Sequence, residues 1–284
     1  MKSGDVKGNL LFTVKRFMRQ YDFLAKKRWG QNFIVEESLL HRMVSYADIQ
    51  AGDVVLEIGS GLGFLTKALA EECCKVIAVE VDRRLFEALK KELKGFENVD
   101  LIFGNVLKAP IPKFNKVVSS PPYSISSPIL FWLLERDFDC AVLTFQEEFA
   151  ERLVAPVGVK KYGRLTVMVS YKAEVEVLER IPKESFYPQP EVDSSVVRLR
   201  PRRPGYRVEE EETFFKLVRA LFSQRRRKVR NAVVPFLASK GLERDQIKEA
   251  IKTLPFSEKR AFKLSPEEIA RLANEIVRYG RKGF

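Results

Sequence analysis

The chain has 284 residues, of which 45% are hydrophobic; no apolar run suits a membrane span or a signal peptide, so we expect a cytoplasmic protein without a membrane partner. Three cysteines without metal-binding spacing and one histidine argue against a metal site, a disulfide scaffold and a histidine-based catalytic triad. The formal charge of +12 is concentrated at the ends, because residues 1–30 hold eight Lys or Arg against two Asp or Glu and residues 201–284 hold twenty-one against eleven. Such ends favour a polyanion partner, although a solvated basic surface has the same composition.

The first predicted element is a basic amphipathic helix. In residues 9–28, Leu, Phe and Met recur at helical spacing, and Lys or Arg occupy the opposite face. We assign residues 1–29 to this segment and expect residues 15–28 to contact the polyanion.

Five continuous apolar strands are predicted next, at residues 54–58, 75–80, 99–103, 116–119 and 140–145. Continuous Val and Ile runs are typical of a parallel sheet that is covered on both faces. Helices are predicted between them near 62–72, 83–94 and 126–136, the second capped by Asp82 and the third starting at Ser127 and Pro128. This alternation predicts a doubly wound, Rossmann-like α/β sheet.

The C-terminal third changes character. Further strands are expected near 165–180 and 192–199, and a Pro- and Gly-containing linker at 200–207 ends a first domain of residues 30–200. Beyond it, helical patterns at 209–238, 243–253 and 265–279 predict a smaller all-α domain of residues 201–284, the last helix starting at a capping box from Ser265 to Glu268.

A glycine-rich turn, Glu57-Ile58-Gly59-Ser60-Gly61-Leu62-Gly63, follows the first of these strands. In doubly wound sheets, ligands bind at such turns, and glycines let the backbone approach them. Glu80 ends the next strand, where its carboxylate can accept hydrogen bonds from both ribose hydroxyls of a nucleoside-containing cofactor. Phe64 replaces the third glycine of a dinucleotide fingerprint, and the turn resembles the signature of S-adenosylmethionine-dependent methyltransferases. It therefore favours a methyl donor over NAD; glycines that only form a turn are the remaining alternative.

The fourth strand ends in a stiff corner, Ser120-Pro121-Pro122-Tyr123, at the same sheet edge. An exocyclic base amine is a poor nucleophile because its lone pair is delocalised, and acceptors of its N–H groups help as the nitrogen becomes tetrahedral. A carbonyl of Pro121 or Pro122 and the side chain of Ser120 are suitable acceptors. Tyr123 offers a face on which an extruded base can stack. The alternative is a structural turn with a packed tyrosine.

Six segments occur in a consistent order between about residues 20 and 275: 30–34, 57–63, Glu80, 121–128, 186–195 and 222–233. Together they resemble the KsgA-type family of ribosomal RNA adenine dimethyltransferases, most like its archaeal members. The resemblance implies a Rossmann-like methyltransferase domain that uses S-adenosylmethionine and a helical C-terminal domain that helps to dock rRNA. The family substrate is a pair of adjacent adenines near the end of small-subunit rRNA, dimethylated on N6 during ribosome assembly.

The resemblance also implies two sets of site residues. The cofactor-binding set is Gln31, Asn32, Ile34, Gly59, Gly61, Glu80, Asn105 and Ser120. The catalytic set is Ser120, Pro121, Pro122, Tyr123 and Phe186. Within them, Gly59 and Gly61 would contact the methionine portion of the cofactor and Asn105 its adenine ring. Tyr123 and Phe186 would sandwich the target base.

Three residues depart from the family pattern. Ser120 and Pro121 stand where the family usually has Asn followed by Leu or Ile, and Asn105 stands where it usually has Asp. Ser-Pro-Pro-Tyr corners are familiar in enzymes that methylate the N4 amine of cytosine. An N4-cytosine RNA methyltransferase therefore stays open as an alternative, as does a non-catalytic rRNA-binding assembly or transcription factor of the same fold. A small-molecule methyltransferase would leave the basic ends without a use.

The second basic element is the run Arg225, Arg226, Arg227, Lys228 and Arg230, which we expect to continue an amphipathic helix. Arginine pairs well with phosphates and stacks on exposed bases. With residues 15–28 it would form two banks of a groove that leads to Tyr123, and the resemblance implies that an rRNA or pre-30S partner binds there; a solvated helix face is the alternative. We expect a monomer.

Overall fold

The computed structural model describes residues 10–26 and 30–282, so the end of the predicted basic helix, at 27–28, lies outside the described residues. Contacts divide the chain into two units, Met1–Ala150 with Glu176–Pro201 and Glu151–Val175 with Arg202–Phe284. This division differs from the predicted domains in assigning residues 151–175 to the same unit as the C-terminal helices. Among the described residues, no helix is long and apolar enough to cross a membrane.

Nine strands occur in the described part of the chain: β1 (Phe33–Ile34), β2 (Val54–Ile58), β3 (Lys75–Glu80), β4 (Val99–Phe103), β5 (Lys116–Ser119), β6 (Cys140–Gln146), β7 (Ala173–Ile181), β8 (Phe186–Tyr187) and β9 (Ser194–Pro201). Seven form one sheet in the order β4-β3-β2-β5-β6-β9-β7, and β1 pairs with β8. Strands β2 to β6 are parallel, and β9 runs antiparallel to β6. The predicted α/β sheet is confirmed.

The strand order reverses beside β2, because β3 and β4 extend the sheet on one side and β5 and β6 on the other. The Ser119 hydroxyl at the end of β5 donates to the Ile58 carbonyl at the end of β2, over 2.6 Å. The segments that follow these strands, the glycine turn and the Ser-Pro-Pro-Tyr corner, therefore leave the sheet side by side. This is the place where doubly wound sheets bind ligands.

The described residues also form twelve α-helices: α1 (Leu10–Gln20), α2 (Glu37–Tyr46), α3 (Phe64–Ala70), α4 (Arg83–Glu92), α5 (Ser126–Leu133), α6 (Glu147–Leu153), α7 (Arg164–Lys172), α8 (Glu211–Ser223), α9 (Val229–Ala232), α10 (Val234–Ser239), α11 (Arg244–Thr253) and α12 (Pro266–Lys282). The three helices predicted between the strands are confirmed as α3, α4 and α5. Asp82 caps α4 as predicted, accepting from the Arg84 N–H over 3.0 Å. Helix α5 begins at Ser126, the first residue of the predicted range, and Ser127 and Pro128 lie in its first turn as predicted.

The prediction of a strand over 165–180 is wrong in its first half. Residues 164–172 form α7, and only from Ala173 does the chain become β7. The residues of 165–171 are buried except Ser170, so the apolar run has no exposed face that could reveal its period. The helical choice is supported by Thr166, whose hydroxyl accepts from the Gly163 N–H and donates to the Arg152 carbonyl.

The N-terminal helix is shorter than predicted. Helix α1 ends at Gln20, whereas helical spacing predicted a helix over 9–28. The chain turns at Asp22, which has a φ of 44°, and the Phe23 N–H donates to the Met18 carbonyl over 2.8 Å. That bond closes a Schellman motif, and Phe23 packs in one apolar cluster with Met18. Burial of Phe23 at 2% exposure thus ends the helix.

The basic run of residues 225–230 is not the helix continuation that was predicted. Helix α8 ends at Ser223 and α9 begins at Val229, so the predicted helix over 209–238 is interrupted. The backbone of this turn exchanges hydrogen bonds with residues 257–262, and these tertiary bonds replace those of a continued helix.

Helix α12 starts as predicted. The Glu268 N–H donates to the Ser265 hydroxyl, and the Ser265 N–H donates to the Glu268 carboxylate, both over 3.1 Å. This reciprocal pair is a capping box, which leaves the start of the helix without unsatisfied donors at these two positions.

Candidate functional site

A cleft of about 380 Å³ lies in the first unit, at the sheet edge where β2 and β5 end. Most of the predicted site residues line it: Gln31, Asn32, Gly59, Gly61, Glu80, Asn105, Ser120 and Pro122. Apolar residues that the sequence analysis did not single out complete the wall: Phe33, Val79, Val81, Leu85, Val106 and Ile125. An apolar cleft with a few convergent polar groups is the usual form of a small-molecule site.

The glycine turn forms a close-fitting wall of this cleft. Gly61 has a φ of 56°, and a Cβ added there would lie 3.1 Å from the Phe33 ring. At Gly63, with a φ of 79°, an added Cβ would lie 2.7 Å from Leu89 of α4. Both the backbone conformation and the space thus require glycine, the first position for the cleft and the second for packing of the turn against α4.

Replacing Gly61 by alanine should therefore weaken binding of the predicted methyl donor by about tenfold, because the strained turn and the displaced Phe33 reshape the cleft. Isothermal titration with S-adenosylmethionine measures the dissociation constant. Gly52→Ala is the matched control, since nothing lies within 4 Å of its added Cβ and its φ is ordinary. Equal affinities of the two variants would contradict the assignment.

Glu80 is a buried carboxylate whose oxygens face the turn. Its Oε2 accepts from the Gly61 N–H over 2.9 Å, and its Oε1 accepts from the N–H groups of Val81 (2.9 Å) and Asp82 (2.8 Å). Burial at 4% exposure raises the pKa of this carboxyl, and the three N–H bonds oppose that rise by stabilising the ionised form. A carboxylate has about four acceptor positions, so Oε2 retains one that a ligand hydroxyl can use.

A second buried carboxyl, which the sequence analysis did not place in the site, lies beneath the turn. Glu57 accepts from the Thr66 hydroxyl over 2.5 Å and lines a smaller cavity of about 50 Å³ with Asn32 and Ile34. Burial raises the pKa of Glu57 to about 7, although the hydroxyls of Thr66 and Ser60 lower it. The Ser60 hydroxyl is buried and lies close enough to Glu57 to affect its pKa. Its geometry does not meet the usual distance and angle criteria for a hydrogen bond to any described residue. The sequence signal for Glu57 was its place immediately before the glycines.

The segment before β1 covers one side of the cleft. The Gln31 side chain donates to Asp82 over 3.3 Å, and Lys26 forms an ion pair with the same carboxylate at 2.8 Å. Gly30, with a φ of 61°, brings the backbone against Pro122. Asp82 thus joins this segment to the start of α4 and holds Gln31 and Asn32 at the cleft.

Asn105 lies in the cleft wall after β4. Its side-chain oxygen accepts from the Leu107 N–H over 3.0 Å, so this oxygen already has a hydrogen-bond donor within its own loop. Among the described residues, the side-chain amide nitrogen of Asn105 has no acceptor, so its N–H donors are available to a ligand in the cleft.

The corner residues are held by buried hydroxyl groups. Ser120 Oγ and Thr144 Oγ1 of β6 lie 2.7 Å apart, and Tyr123 Oη and Ser194 Oγ of β9 lie 2.5 Å apart. The Tyr123 ring is half-buried, and burial raises the pKa of its hydroxyl. Pro121 is buried, and its carbonyl accepts no described hydrogen bond, whereas the Pro122 carbonyl accepts from the Ile125 N–H over 3.1 Å.

Four predicted residues do not line the larger cleft: Ile34, Pro121, Tyr123 and Phe186. Phe186 and Ile34 are paired across β8 and β1 and lie in one apolar core cluster, Phe186 with 3% exposure and Ile34 with 7%. Ile34 reaches only the smaller cavity. The face of Phe186 is covered, so the structure does not bring together the predicted sandwich of Tyr123 and Phe186 around an open slot.

Comparisons with known proteins agree on one family. Residues 22–277 match the family model described as ribosomal RNA adenine dimethylase. A protein named probable ribosomal RNA small subunit methyltransferase A from Methanosarcina mazei is 42% identical over 273 residues, covering 95% of this chain and all of the relative. Its counterpart from Methanopyrus kandleri is 44% identical over 261 residues, covering 90% of this chain and 94% of the relative.

Solved structures agree with this match. A dimethyladenosine transferase from Plasmodium falciparum superposes with a TM-score of 0.77 at 30% identity, covering 87% of this chain and 98% of that one. The 23S rRNA methyltransferase ErmE gives a TM-score of 0.67 at 28% identity, covering 87% and 100%.

Proposed function

The chain belongs to the ribosomal RNA adenine dimethylase family, and from that premise we propose that it is an S-adenosylmethionine-dependent methyltransferase that dimethylates the N6 amine of adjacent adenines in small-subunit rRNA. One observation carries the proposal. The ends of β2 and β5 are bonded through Ser119 and Ile58, so the glycine-lined cleft and the corner that would present a base amine share one sheet edge.

The cleft fits the methyl donor in two respects. Gly61 leaves space that a side chain would fill, and Glu80 Oε2 retains an acceptor position for a ribose hydroxyl. When bound, S-adenosylmethionine supplies an electrophilic methyl group. Gly59 and Gly61 would hold its methionine portion, Glu80 its ribose, and Gln31, Asn32 and Asn105 the remaining polar groups.

The corner would orient the attacking amine without a strong base. The Pro121 carbonyl, which accepts no hydrogen bond from the described residues, and the hydroxyl of Ser120 can each accept one N–H of the target amine. Both bonds would keep the nitrogen lone pair directed at the methyl group. Since the Pro122 carbonyl already accepts from Ile125, Pro121 is the better of the two prolines for this role. Tyr123 would stack on the extruded base; Phe186 would join it only if its covered face became exposed.

The cations of the basic run at 225–230 fall into two groups: those that hold other parts of the second unit and those whose charge is free to contact a phosphate. Arg225 donates to the carbonyls of Val159 and Lys160, whereas Lys228 and Arg230 form ion pairs with Glu258. The side chains of Arg226 and Arg227 are exposed and have no hydrogen-bond or ion-pair partner among the described residues, although the Arg227 backbone bonds to Ala261. We propose that these two contact rRNA phosphates, together with the exposed Lys15, Arg16 and Arg19 of α1.

The test is methylation of immature small-subunit particles, or their rRNA, by purified protein with labelled methyl donor, followed by mass spectrometry of the digested nucleosides. We expect dimethyladenosine at two adjacent positions and rRNA affinity that falls steeply with salt. Dimethylcytidine would overturn the adenine assignment and leave the site intact. Tight rRNA binding without methylation would establish the non-catalytic alternative.

A further inference from the structure

Two buried hydroxyl groups lie directly behind the corner, and nothing in the proposed reaction uses them. Thr144 of β6 and Ser194 of β9 are both 0% exposed. Thr144 is directly opposite Val196, two residues from Ser194 on the neighbouring strand. Because side chains of a strand alternate between faces, Thr144 and Ser194 project from the same face of the sheet.

Each hydroxyl is paired with one corner side chain. The distance from Thr144 Oγ1 to Ser120 Oγ is 2.7 Å, and that from Ser194 Oγ to Tyr123 Oη is 2.5 Å. Neither Thr144 nor Ser194 makes another described side-chain hydrogen bond. Each of these two hydroxyls therefore forms its side-chain hydrogen bond with a single corner residue.

We propose that Ser194 and Thr144 are positioning residues for methyl transfer, which fix the Tyr123 ring and the Ser120 hydroxyl in the orientation that receives the base amine. The inference rests on the proposed function and deepens it. It also gives a physical reason for serine at position 120: a short hydroxyl points at the amine only if a partner fixes its rotamer, and Thr144 provides that partner.

Tyr123 needs the same support. Tyr123 begins a single 3-10 turn, Tyr123–Ile125, that leads into α5, and a backbone of this kind permits more than one staggered χ1 rotamer. The bond to Ser194 removes that freedom before the base arrives, which is the preorganisation that a stacking platform requires.

The central experiment is a double-mutant cycle on Ser194 and Tyr123. Ser194→Ala and Tyr123→Phe each delete the same bond, so each should lower kcat for rRNA methylation by about tenfold while KM for S-adenosylmethionine changes less than about twofold. The double variant should be no slower than either single one, because the bond is already lost. Ser194→Thr retains a hydroxyl and should restore most of the rate. Thr144→Val should act in the same way through Ser120.

The matched control is Ser195→Ala, the same substitution one residue further along β9. Ser195 is also buried, at 3% exposure, but it pairs with Phe145 and so faces the opposite side of the sheet. A purely structural role for buried serines predicts equal losses in both variants. Equal losses, or additive effects of Ser194→Ala and Tyr123→Phe, would overturn the inference.

A readout that needs no turnover separates this inference from the proposed function. With 3-fluorotyrosine placed at position 123, the fluorine NMR signal should shift and broaden in Ser194→Ala and stay unchanged in Ser195→Ala. An unchanged signal in Ser194→Ala overturns the positioning role even if the parent methylates rRNA. A shifted signal together with an inactive parent would contradict the proposed function and would still support the hydrogen bond between Tyr123 and Ser194.

Discussion

Glu80→Ala should abolish measurable binding of S-adenosylmethionine, weakening it by at least about 100-fold. The variant removes the proposed ribose acceptor and also leaves the N–H groups of Gly61, Val81 and Asp82 without their acceptor. Each buried donor without a partner costs about 1–3 kcal/mol, so the turn should relax away from the conformation that shapes the cleft. Isothermal titration and the thermal shift produced by the ligand measure the loss.

The matched control for Glu80 is Asp100→Ala. Asp100 is a carboxylate of the adjacent strand β4, but it is half-exposed and forms its ion pair with Lys75 at the surface. Exposed ion pairs contribute about 0–1 kcal/mol, so this variant should bind the ligand like the parent. Glu80→Gln should bind S-adenosylmethionine with an affinity between those of Glu80→Ala and Asp100→Ala. One acceptor oxygen is retained, but the amide nitrogen is a donor that faces one of the N–H groups. Parent-like affinity in Glu80→Ala would exclude the proposed ribose contact.

Glu57 should make the folded state less stable as pH rises. Burial raises its pKa from the ordinary value of 4.5 to about 7. Between these values the unfolded chain releases a proton that the folded protein retains, so the free energy of unfolding falls as pH rises through this window and levels off above about 7. The two pKa values correspond to a loss of roughly 3 kcal/mol, an upper limit for this one group.

Glu57→Gln isolates this effect. The neutral amide can still accept from the Thr66 hydroxyl. The free energy of unfolding of the variant should therefore fall less than that of the parent as pH rises from below 4.5 to above 7. Urea unfolding of parent and variant, below and above the window, gives the difference in their pH dependence. Glu80, whose pKa burial also raises, titrates in both proteins, and the variant additionally removes the smaller repulsion between the two carboxylates. Glu71→Gln, at an exposed site at the end of α3, is the control. Parallel pH profiles of parent and Glu57→Gln would refute the buried-acid assignment.

The site was predictable where neighbouring residues specify both conformation and position. The bounds of β2, β3, β4 and β5 agree with the prediction, because their lengths of four to six residues and their Val and Ile content favour strands over a buried helix. Once the sheet was parallel, the ends of β2 and β5 had to meet at one edge, and eight of the predicted residues line the cleft there. The corner and the glycine turn were thus found together.

Other predictions failed or stayed incomplete because the deciding contacts join residues far apart in the chain. Phe186 belongs to a motif that suggests base stacking, yet its pairing with Ile34 buries it. The run at 225–230 reads as a helix until residues 257–262 bond to its backbone. The buried partners Thr144 and Ser194 carry no local signature, since an isolated Ser or Thr in a strand is ordinary.

The amino-acid order by itself thus determined the α/β sheet, the place of the glycine turn and the corner, and the family to which these motifs belong. Those features arise from the period of apolar residues and from the backbone preferences of Gly and Pro, which act over a few residues. Only the tertiary structure decided which cations are neutralised, which aromatic ring is covered, and which hydroxyls stand behind Ser120 and Tyr123. Burial and hydrogen bonding depend on what the rest of the chain places nearby, and no local pattern encodes that.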